Sequence, residues 1–289
     1  MITIFTPAYN RRNLLPRLFD SLSKQTCFDF EWIIVDDGSI DGTEEYFKEL
    51  LKNKYDFKIT YIKQPNGGKH RAINKGVGLA NGEAFIIVDS DDYLIESAVE
   101  KIKNWLITLD DTHKFAGVSG LRGYSLDKSI GNKLNNEFID ATNLDRRRKG
   151  LLGDKAEVYF TSVLKKYPFP EFENENFLSE EVVWNAIASD GYYIRWFNEI
   201  IYICDYLDGG LTKNGNEKYI KNPLGVLYWA KQMLALKESG FVNKLKAVDR
   251  YNTAVNKKYK KREIAEQLDI NLLYLLFALF VAKVKRLVK

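Results

Sequence analysis

The stretch Phe85-Ile86-Ile87-Val88-Asp89-Ser90-Asp91-Asp92-Tyr93 joins an apolar strand to a cluster of acids. Residues 84–88 are apolar and rich in β-branched types, and acids follow them, which predicts a strand buried on both faces. Asp89 and Asp91 are separated by one residue, so a local bend can direct both carboxylates at one divalent cation. Oxygen ligands with an incomplete protein shell suit Mg²⁺ or Mn²⁺ shared with a diphosphate. The alternative is a solvated acidic turn that caps the next helix.

Three similar units precede this strand. Each has a short apolar strand, a polar loop and a helix with apolar residues at helical spacing; the strands are predicted over residues 2–5, 31–35 and 58–62. Four such units in succession predict an α/β fold with a mostly parallel sheet and right-handed crossovers. The loops after parallel strands emerge at the carboxyl edge of the sheet, where ligands bind. This places four loops at one rim, namely residues 6–10, 36–39, 66–70 and 89–92.

The rim loops carry residues suited to a nucleotide. Pro7 and Tyr9 can pack against a base and a ribose. Asp36 can accept hydrogen bonds from uracil or ribose, or it can cap its own loop. Gly67-Gly68-Lys69 allows close backbone approach and places a cation beside a helix N-terminus, which suits a diphosphate. The same glycines also fit an ordinary turn.

Composition indicates a reduced globular protein. The chain has 289 residues, 45% of them hydrophobic and 28% charged, which is enough for one large α/β domain and a smaller appendage. Cys27 and Cys204 form no zinc or CxxC spacing, so a cytosolic chain without a thiolate metal site is expected. Two histidines leave little room for a His-rich metal site or a Ser-His-Asp hydrolase. Residues 1–5 contain no export signal.

The formal net charge of +4 is unevenly distributed. Residues 244–289 hold twelve Lys or Arg against four Asp or Glu. Within them, the eleven uncharged apolar residues 272–282 precede Lys283, Lys285 and Arg286, and they are too few to span a bilayer, which needs about 20. A helix on the membrane surface, with a basic collar that attracts anionic lipid, is favoured. The alternative is a buried helix or a dimer contact.

Several short motifs follow one another in order within the first 110 residues. They are Thr6-Pro7-Ala8-Tyr9-Asn10, Asp36-Asp37-Gly38-Ser39, Asp41-Gly42-Thr43, Asn66-Gly67-Gly68, Asn81-Gly82-Glu83 and Asp89-Ser90-Asp91-Asp92. This order resembles the family 2 glycosyltransferases with the GT-A fold. The resemblance implies a three-layer α/β sandwich, a nucleotide-sugar donor that is most often a UDP-sugar, Mn²⁺ or Mg²⁺, and transfer of a hexosyl or N-acetylhexosaminyl group with inversion.

The resemblance also implies roles for the rim residues. It assigns the uridine to Pro7, Tyr9 and Asp36, the ribose and metal to Asp89 and Asp91, and further donor contacts to Asn10, Gly68, Lys69 and Ser90. One departure is that the family's Ala-Arg-Asn reads Ala72-Ile73-Asn74 here. Arg71, Lys69 and His70 are the candidates to bind the donor's phosphates in place of that arginine.

The same resemblance implies which residue acts as the catalytic base. The family supplies it from a Glu-Asp pair near a helix start, and Glu180-Glu181 stands at the corresponding position. This implies Glu181 as the base, with Glu180 orienting it or contacting the acceptor. Because a glutamate replaces the aspartate, the two roles can also be exchanged. The alternative is that Ser179 caps a helix and both glutamates only favour its positive N-terminus.

The chain is expected to comprise a donor-binding half (1–110), an acceptor-binding half (111–215) with a lid at 206–212, and a helical region (216–289). The implied acceptor is a saccharide or a polyprenyl-diphosphate-linked saccharide used for a surface polysaccharide. The expected place is the cytoplasm or the inner face of the plasma membrane, with no nucleic-acid partner. The alternatives are a nucleotide-binding or lectin-like subunit without catalysis and a sugar-nucleotidyltransferase. The latter is disfavoured because residues 6–10 contain no glycine.

Overall fold

The computed structural model describes residues 1–204 and 215–287. These residues form two compact units. The first holds residues 1–169 and 183–204, and the second holds residues 170–182 and 215–287. The lid predicted at 206–212 lies outside the described residues.

A nine-stranded sheet is the centre of the first unit in the described part of the chain. Its strands are β1 (Ile2–Ala8), β2 (Phe30–Asp36), β3 (Lys58–Lys63), β4 (Ala84–Ile87), β5 (Tyr93–Leu94), β6 (Phe115–Gly123), β7 (Phe138–Ala141), β8 (Lys155–Phe160) and β9 (Tyr193–Ile203). Their order is β3-β2-β1-β4-β8-β6-β9-β5, with β7 paired to β9. β1 to β4, β6 and β9 run in one direction, and β5, β7 and β8 run in the other. The predicted mostly parallel α/β sheet is confirmed.

Helices connect the strands and form the C-terminal part of the chain. Between the strands lie α1 (Leu15–Ser23), α2 (Thr43–Leu50), α3 (Lys69–Leu79), α4 (Ala98–Leu106), α5 (Thr161–Leu164) and α6 (Glu181–Ser189). After the sheet follow α7 (Glu217–Lys221), α8 (Pro223–Ala235), α9 (Gly240–Val255), α10 (Lys261–Gln267) and α11 (Leu272–Leu287). Glu181 and Val182, the first two residues of α6, belong to the second unit.

The first strand is longer than the sequence predicted. It was expected to end at Phe5, but it continues to Ala8, and Pro7 pairs with Val35 of β2. On its other side, β1 pairs with β4 only as far as Phe5, which lies opposite Ile87. Pro7 therefore lies where the sheet has only one neighbouring strand, and its missing N–H costs less there than between two strands. The longer strand carries Tyr9 directly to the rim.

The second unit is built around α9, which contacts α7, α8 and α11. Ala247 and Val248 of α9 are fully buried, as are Leu275 and Ala278 of α11. In the described residues no single helix has the length and apolar character needed to cross a membrane. The α10 and α11 pair, bent by 106°, meets that length and composition test only when its two helices are taken together.

Candidate active site

Three parallel strand pairs bring the rim loops to one edge of the sheet. β1 lies between β2 and β4, and β3 flanks β2, all in the same direction. The loops after β1 and β2 are also joined directly, since the backbone N–H of Asn10 donates to Ser39 Oγ at 2.8 Å. Asn10 Oδ1 in turn accepts the N–H of Ile40 at 3.0 Å. Asn10 adopts a left-handed φ of 54°, which asparagine tolerates better than most residues. Its side chain therefore connects the first two loops.

Asp36 is held rigidly at the end of β2. Its carboxylate accepts the Tyr61 hydroxyl at 2.6 Å and the backbone N–H of Ser39 at 2.8 Å. Burial, followed by the hydrogen bond to Asp36, raises the pKa of Tyr61 well above its usual value, so the phenol remains a donor. Tyr9 is 49% exposed at the same edge, and Pro7 is half-buried. A fixed carboxylate beside an open aromatic ring is an arrangement that can hold a nucleoside.

Asp37 has a structural role that the sequence did not reveal. Its carboxylate accepts the backbone N–H groups of Gly67 at 2.9 Å and Gly68 at 2.7 Å, together with the Gln64 side-chain amide at 2.8 Å. These are the N–H groups that sequence reasoning assigned to a diphosphate. Asp37 instead uses them to fasten the loop before α3, in which Gly68 has a φ of 96°. A donor contact by Gly68 stays a prediction.

Asp89 lies among cations. Lys69 Nζ is 2.6 Å from its Oδ1, and Arg122 Nη1 is 3.9 Å from its Oδ2. Burial alone would raise the pKa of Asp89, but attraction to Lys69 and Arg122 outweighs it and holds that pKa below its usual value. Asp89 is therefore ionised at neutral pH, and Lys69 at the start of α3 is brought against the acidic loop after β4.

The pKa of Asp91 is shifted in the opposite direction from that of Asp89. Burial, followed by repulsion from Asp89, raises the pKa of Asp91. The two negative charges are thus close enough to oppose each other, and a cation between them would relieve that repulsion. Ser90, between them, is buried. The structure thereby brings Asp36, Lys69, Asp89 and Asp91 to one edge of the sheet, as sequence reasoning expected.

A buried tyrosine of β9, Tyr202, supports the acidic loop formed by residues 89–92. The Tyr202 hydroxyl donates to Asp92 Oδ2 at 2.7 Å and accepts the backbone N–H of Asp89 at 3.0 Å. The Arg122 guanidinium lies 4.2 Å above the Tyr202 ring. Burial raises the pKa of Tyr202 well above its usual value, so its hydroxyl stays protonated. No local pattern predicts this network, because Arg122 and Tyr202 lie 30 and 110 residues beyond Asp92.

The acidic pair fits a divalent cation that is only partly held by protein. No group of three or more His, Cys, Asp or Glu side chains that could hold a metal exists in the described ranges. Two carboxylates on one loop, with a mutual repulsion that a cation would remove, match the sites that Mg²⁺ or Mn²⁺ shares with water and a diphosphate. The donor set is therefore compatible with the ion, and Asp89 and Asp91 are the residues that would hold it.

Glu180 and Glu181 belong to the second unit. Both are half-buried, and Glu181 is the first residue of α6. Glu181 Oε2 accepts the indole N–H of Trp229, on α8, at 3.0 Å. Sequence reasoning did not single out Trp229. The roles of Glu181 and Glu180 in catalysis stay predictions.

The amino-acid sequence of the chain matches a known protein family and several relatives. The family described as Glycosyl transferase family 2 matches residues 3–161, more than half of the chain. A GalNAc(5)-diNAcBac-PP-undecaprenol beta-1,3-glucosyltransferase from Campylobacter jejuni is 29% identical over 76% of this chain and 71% of its own. Three larger bacterial relatives, 38% to 41% identical, match only 35% of this chain, which spans just 10% to 14% of their length.

Solved structures share the fold. S. aureus TarS in complex with UDP-GlcNAc has a TM-score of 0.63 and 19% identity, covering 89% of this chain and 74% of that one. A mannosyltransferase from Pyrobaculum calidifontis, in complex with GDP-Man and Mn²⁺, has a TM-score of 0.56 and 16% identity, covering 88% and 72%. At these identities the likeness shows the fold alone. The family match, which covers the strands and loops that build the rim, shows that the chain belongs to the family 2 glycosyltransferases.

Proposed function

We propose that the protein transfers a sugar from a UDP-sugar, with inversion, to a saccharide or polyprenyl-diphosphate-linked saccharide used for a surface polysaccharide. The observation that carries the proposal is the meeting of Lys69, Asp89 and Asp91 at the sheet edge where β2, separated from β4 only by β1, ends in Asp36. The names of the relatives support it. TarS was solved with UDP-GlcNAc, and the Campylobacter enzyme is named for an undecaprenol-linked acceptor.

The roles of the rim residues follow from their chemistry. Asp36, fixed by Tyr61, accepts hydrogen bonds from the nucleoside, and Tyr9 and Pro7 pack beside it. Lys69 exchanges part of its interaction with Asp89 for the donor's diphosphate. Asp89 and Asp91 would hold Mn²⁺ or Mg²⁺, which would stabilise the charge on the departing diphosphate. Donor recognition is thereby assigned to residues 1–110 and acceptor recognition to residues 111–215.

Glu181 is proposed as the base. It takes the proton of the acceptor hydroxyl while that oxygen bonds to the anomeric carbon from the face opposite the leaving group. The bond from the anomeric carbon to the diphosphate oxygen breaks, and its electron pair leaves with the nucleoside diphosphate. One displacement of this kind inverts the anomeric configuration. Glu180 is the neighbour that contacts the acceptor.

A donor panel tests the proposal. The protein is incubated with UDP-glucose, UDP-GlcNAc, UDP-galactose and GDP-mannose, with a saccharide acceptor and either Mn²⁺ or EDTA, and nucleotide release and product are measured. We expect metal-dependent transfer from a UDP-sugar and a β-linked product from an α-linked donor, read by the anomeric coupling in NMR. Asp91→Asn should abolish transfer, whereas Asp20→Asn on the exposed face of α1 should not.

The panel also distinguishes the other functions. Binding of a UDP-sugar without turnover would identify a nucleotide-binding subunit that has lost catalysis. Release of pyrophosphate from a sugar phosphate and a nucleoside triphosphate would identify a nucleotidyltransferase. Transfer that is unchanged in Asp91→Asn would refute the assignment of the site.

We also propose that α11 rests on the inner face of the plasma membrane. Its outer stripe is apolar and open to solvent, with Leu273 80% and Phe280 66% exposed. Phe277 lies on the same stripe and its ring contacts exposed Phe241 of α9, at 6.1 Å between centroids. Exposed Lys283 and Lys285 follow. An apolar stripe beside lysines matches an anionic lipid surface, because the acyl region takes the rings and the headgroups take the ammonium groups.

Vesicle flotation tests this surface. We expect the protein to float with phosphatidylcholine vesicles that contain phosphatidylglycerol and much less with phosphatidylcholine alone. Leu273→Ser combined with Phe280→Ser should abolish flotation, whereas Ile107→Ser, which removes an equally exposed apolar side chain (82%) from the first unit, should not. Equal flotation of all variants, or dimerisation through α11 without any flotation, would contradict the proposal.

A further inference from the structure

The segment that carries Glu181 is fastened to α8 by polar contacts. Glu175 accepts the backbone N–H groups of Leu224 at 2.6 Å and Gly225 at 2.8 Å, at the N-terminus of the helix. Further along the helix, Gln232 Nε2 donates to the carbonyl of Val182 at 2.8 Å. A carboxylate at a helix N-terminus also benefits from the positive end of the helix dipole. The segment of residues 175–182, which leads into the first turn of α6, is thus held at both of its ends by the same helix.

The start of α8 strengthens this attachment. Asn222 Oδ1 accepts the N–H groups of Asn176 at 2.7 Å and Phe177 at 3.0 Å. Gly225 lies so close to the segment that a Cβ built there would meet the Phe177 carbonyl oxygen at 3.0 Å. The close approach therefore depends on a residue without a side chain.

Between these contacts, Trp229 reaches Glu181. The indole N–H donates to Glu181 Oε2 at 3.0 Å, and Trp229 itself is only 5% exposed. The Arg250 guanidinium of α9 lies 4.1 Å from the centre of the Trp229 ring, which fixes the plane of the indole. A rigid donor thus engages one oxygen of the carboxylate.

We propose that Trp229 is a positioning residue for Glu181, and that α8 is the element through which the second unit sets the orientation of the catalytic base. The inference rests on the proposed function, because it takes Glu181 to be the base. A hydrogen bond from a fixed donor restricts the rotamers of a carboxylate. A base must be correctly aimed at the hydroxyl from which it accepts a proton. Trp229 meets this requirement without contacting the substrate.

Trp229→Phe tests the proposal, because phenylalanine keeps an aromatic ring for Arg250 and removes the N–H. We expect kcat to fall about tenfold, with the donor KM and the Mn²⁺ requirement unchanged, since the carboxylate no longer receives a hydrogen bond. Loss of packing alone would lower thermal stability and leave the kcat of the folded enzyme unchanged, so a lower kcat at constant donor KM is the informative result. The charged side chains of Glu180, Glu175 and Arg250 all remain in this variant.

Trp196→Phe is the matched control. Trp196 is buried, and its indole N–H also donates at 3.0 Å, but to the carbonyl of Ala141 in the sheet. The loss of this hydrogen bond should lower stability and leave the kcat of the folded enzyme unchanged. Gly225→Val gives a second variant, in which Glu181 and Trp229 are both unsubstituted. It should push the segment away from α8 and lower kcat at constant donor KM, as Trp229→Phe does.

The outcomes separate this inference from the proposed function. If Glu181→Gln keeps its activity, Glu181 is not the base. If Glu181→Gln is inactive but folded Trp229→Phe has a normal kcat, the base assignment stands and the positioning role is wrong. A fall in kcat that is as large in the Glu181→Gln background as in the wild type, or one accompanied by a rise in the donor KM, would also overturn the positioning role.

Discussion

Tyr202 joins two aspartates of the acidic loop although it lies 110 residues further along the chain than Asp92. Its hydroxyl is both donor and acceptor, to the Asp92 carboxylate and from the Asp89 N–H. The sequence predicts that these aspartates lie at the edge of the sheet, because they follow a buried strand directly. It does not predict the contacts of Tyr202, Arg122 or Trp229 with acidic side chains, because those contacts depend on strand pairing or helix packing that no local pattern encodes.

Tyr202→Phe should loosen the acidic loop while keeping the ring under Arg122. We expect unfolding free energy to fall by about 1–3 kcal/mol, because buried polar groups lose a partner. The Mn²⁺ concentration for half-maximal activity should rise, because Asp89 is less well fixed. Denaturant melts and Mn²⁺ titrations measure both effects. Tyr124→Phe, at an exposed position, should change neither.

Lys155 should give stability a specific dependence on pH. Burial, followed by repulsion from Arg146, lowers the pKa of Lys155 to about 8, from 10.5. Between these values the unfolded chain binds more protons than the folded one, so the contribution of Lys155 to stability improves as pH rises and worsens as pH falls through the folded pKa. The stability of the wild type relative to Lys155→Met should increase by about 1–2 kcal/mol between pH 7 and pH 10. A difference independent of pH in denaturant melts would contradict this.

At the scale of elements, apolar periodicity was enough to find β1 to β4 and the helices between them. It was less able to find where they end. For example, α1 begins at Leu15 without a side-chain cap that could mark its start in the sequence. β7, Phe138–Ala141, was missed because only pairing with β9 makes this half-buried segment a strand. Ends and short strands depend on neighbours that are distant in sequence.

The packing of α3 on β1 can be tested with two glycines of one helix. A Cβ on Gly76 would lie 2.3 Å from the ring of Phe5, whereas one on Gly78 would meet nothing within 4 Å. Gly76→Ala should therefore destabilise the protein by about 1–3 kcal/mol through overpacking. Gly78→Ala should stabilise it by about 0.5–1 kcal/mol through helix propensity. Thermal melts that rank the two variants in the opposite order would show that α3 does not pack on β1 in this way.

At the scale of the whole molecule, the net positive charge resides near the C-terminus. The sequence predicts a tail of apolar residues followed by lysines, and the structure adds which of the apolar side chains are covered. Leu275 and Ala278 are buried within the second unit, while Leu273 and Phe280 are open. Helical periodicity could suggest such a division, but only packing against α9 decides which stripe remains exposed.

The exposed apolar stripe of α11 predicts that loss of its side chains affects transfer to a membrane-embedded acceptor but not to a soluble one. Leu273→Ser with Phe280→Ser should slow transfer to an acceptor embedded in anionic vesicles, because the enzyme no longer concentrates at their surface. Transfer to a short soluble acceptor should be unchanged, since the substituted residues are on α11. Initial rates with both acceptors measure the difference. An equal decrease with the soluble acceptor would indicate damage to the catalytic unit instead.

The account depends most on one site at the sheet edge that binds UDP together with a divalent cation. Isothermal titration with UDP, in Mn²⁺ and then in EDTA, tests it directly. We expect wild-type affinity to be at least about tenfold higher with Mn²⁺, corresponding to about 1.4 kcal/mol. Asp91→Asn should lose that difference and Asp36→Ala should bind weakly in both conditions. UDP binding that ignores Mn²⁺ and both substitutions would contradict the account.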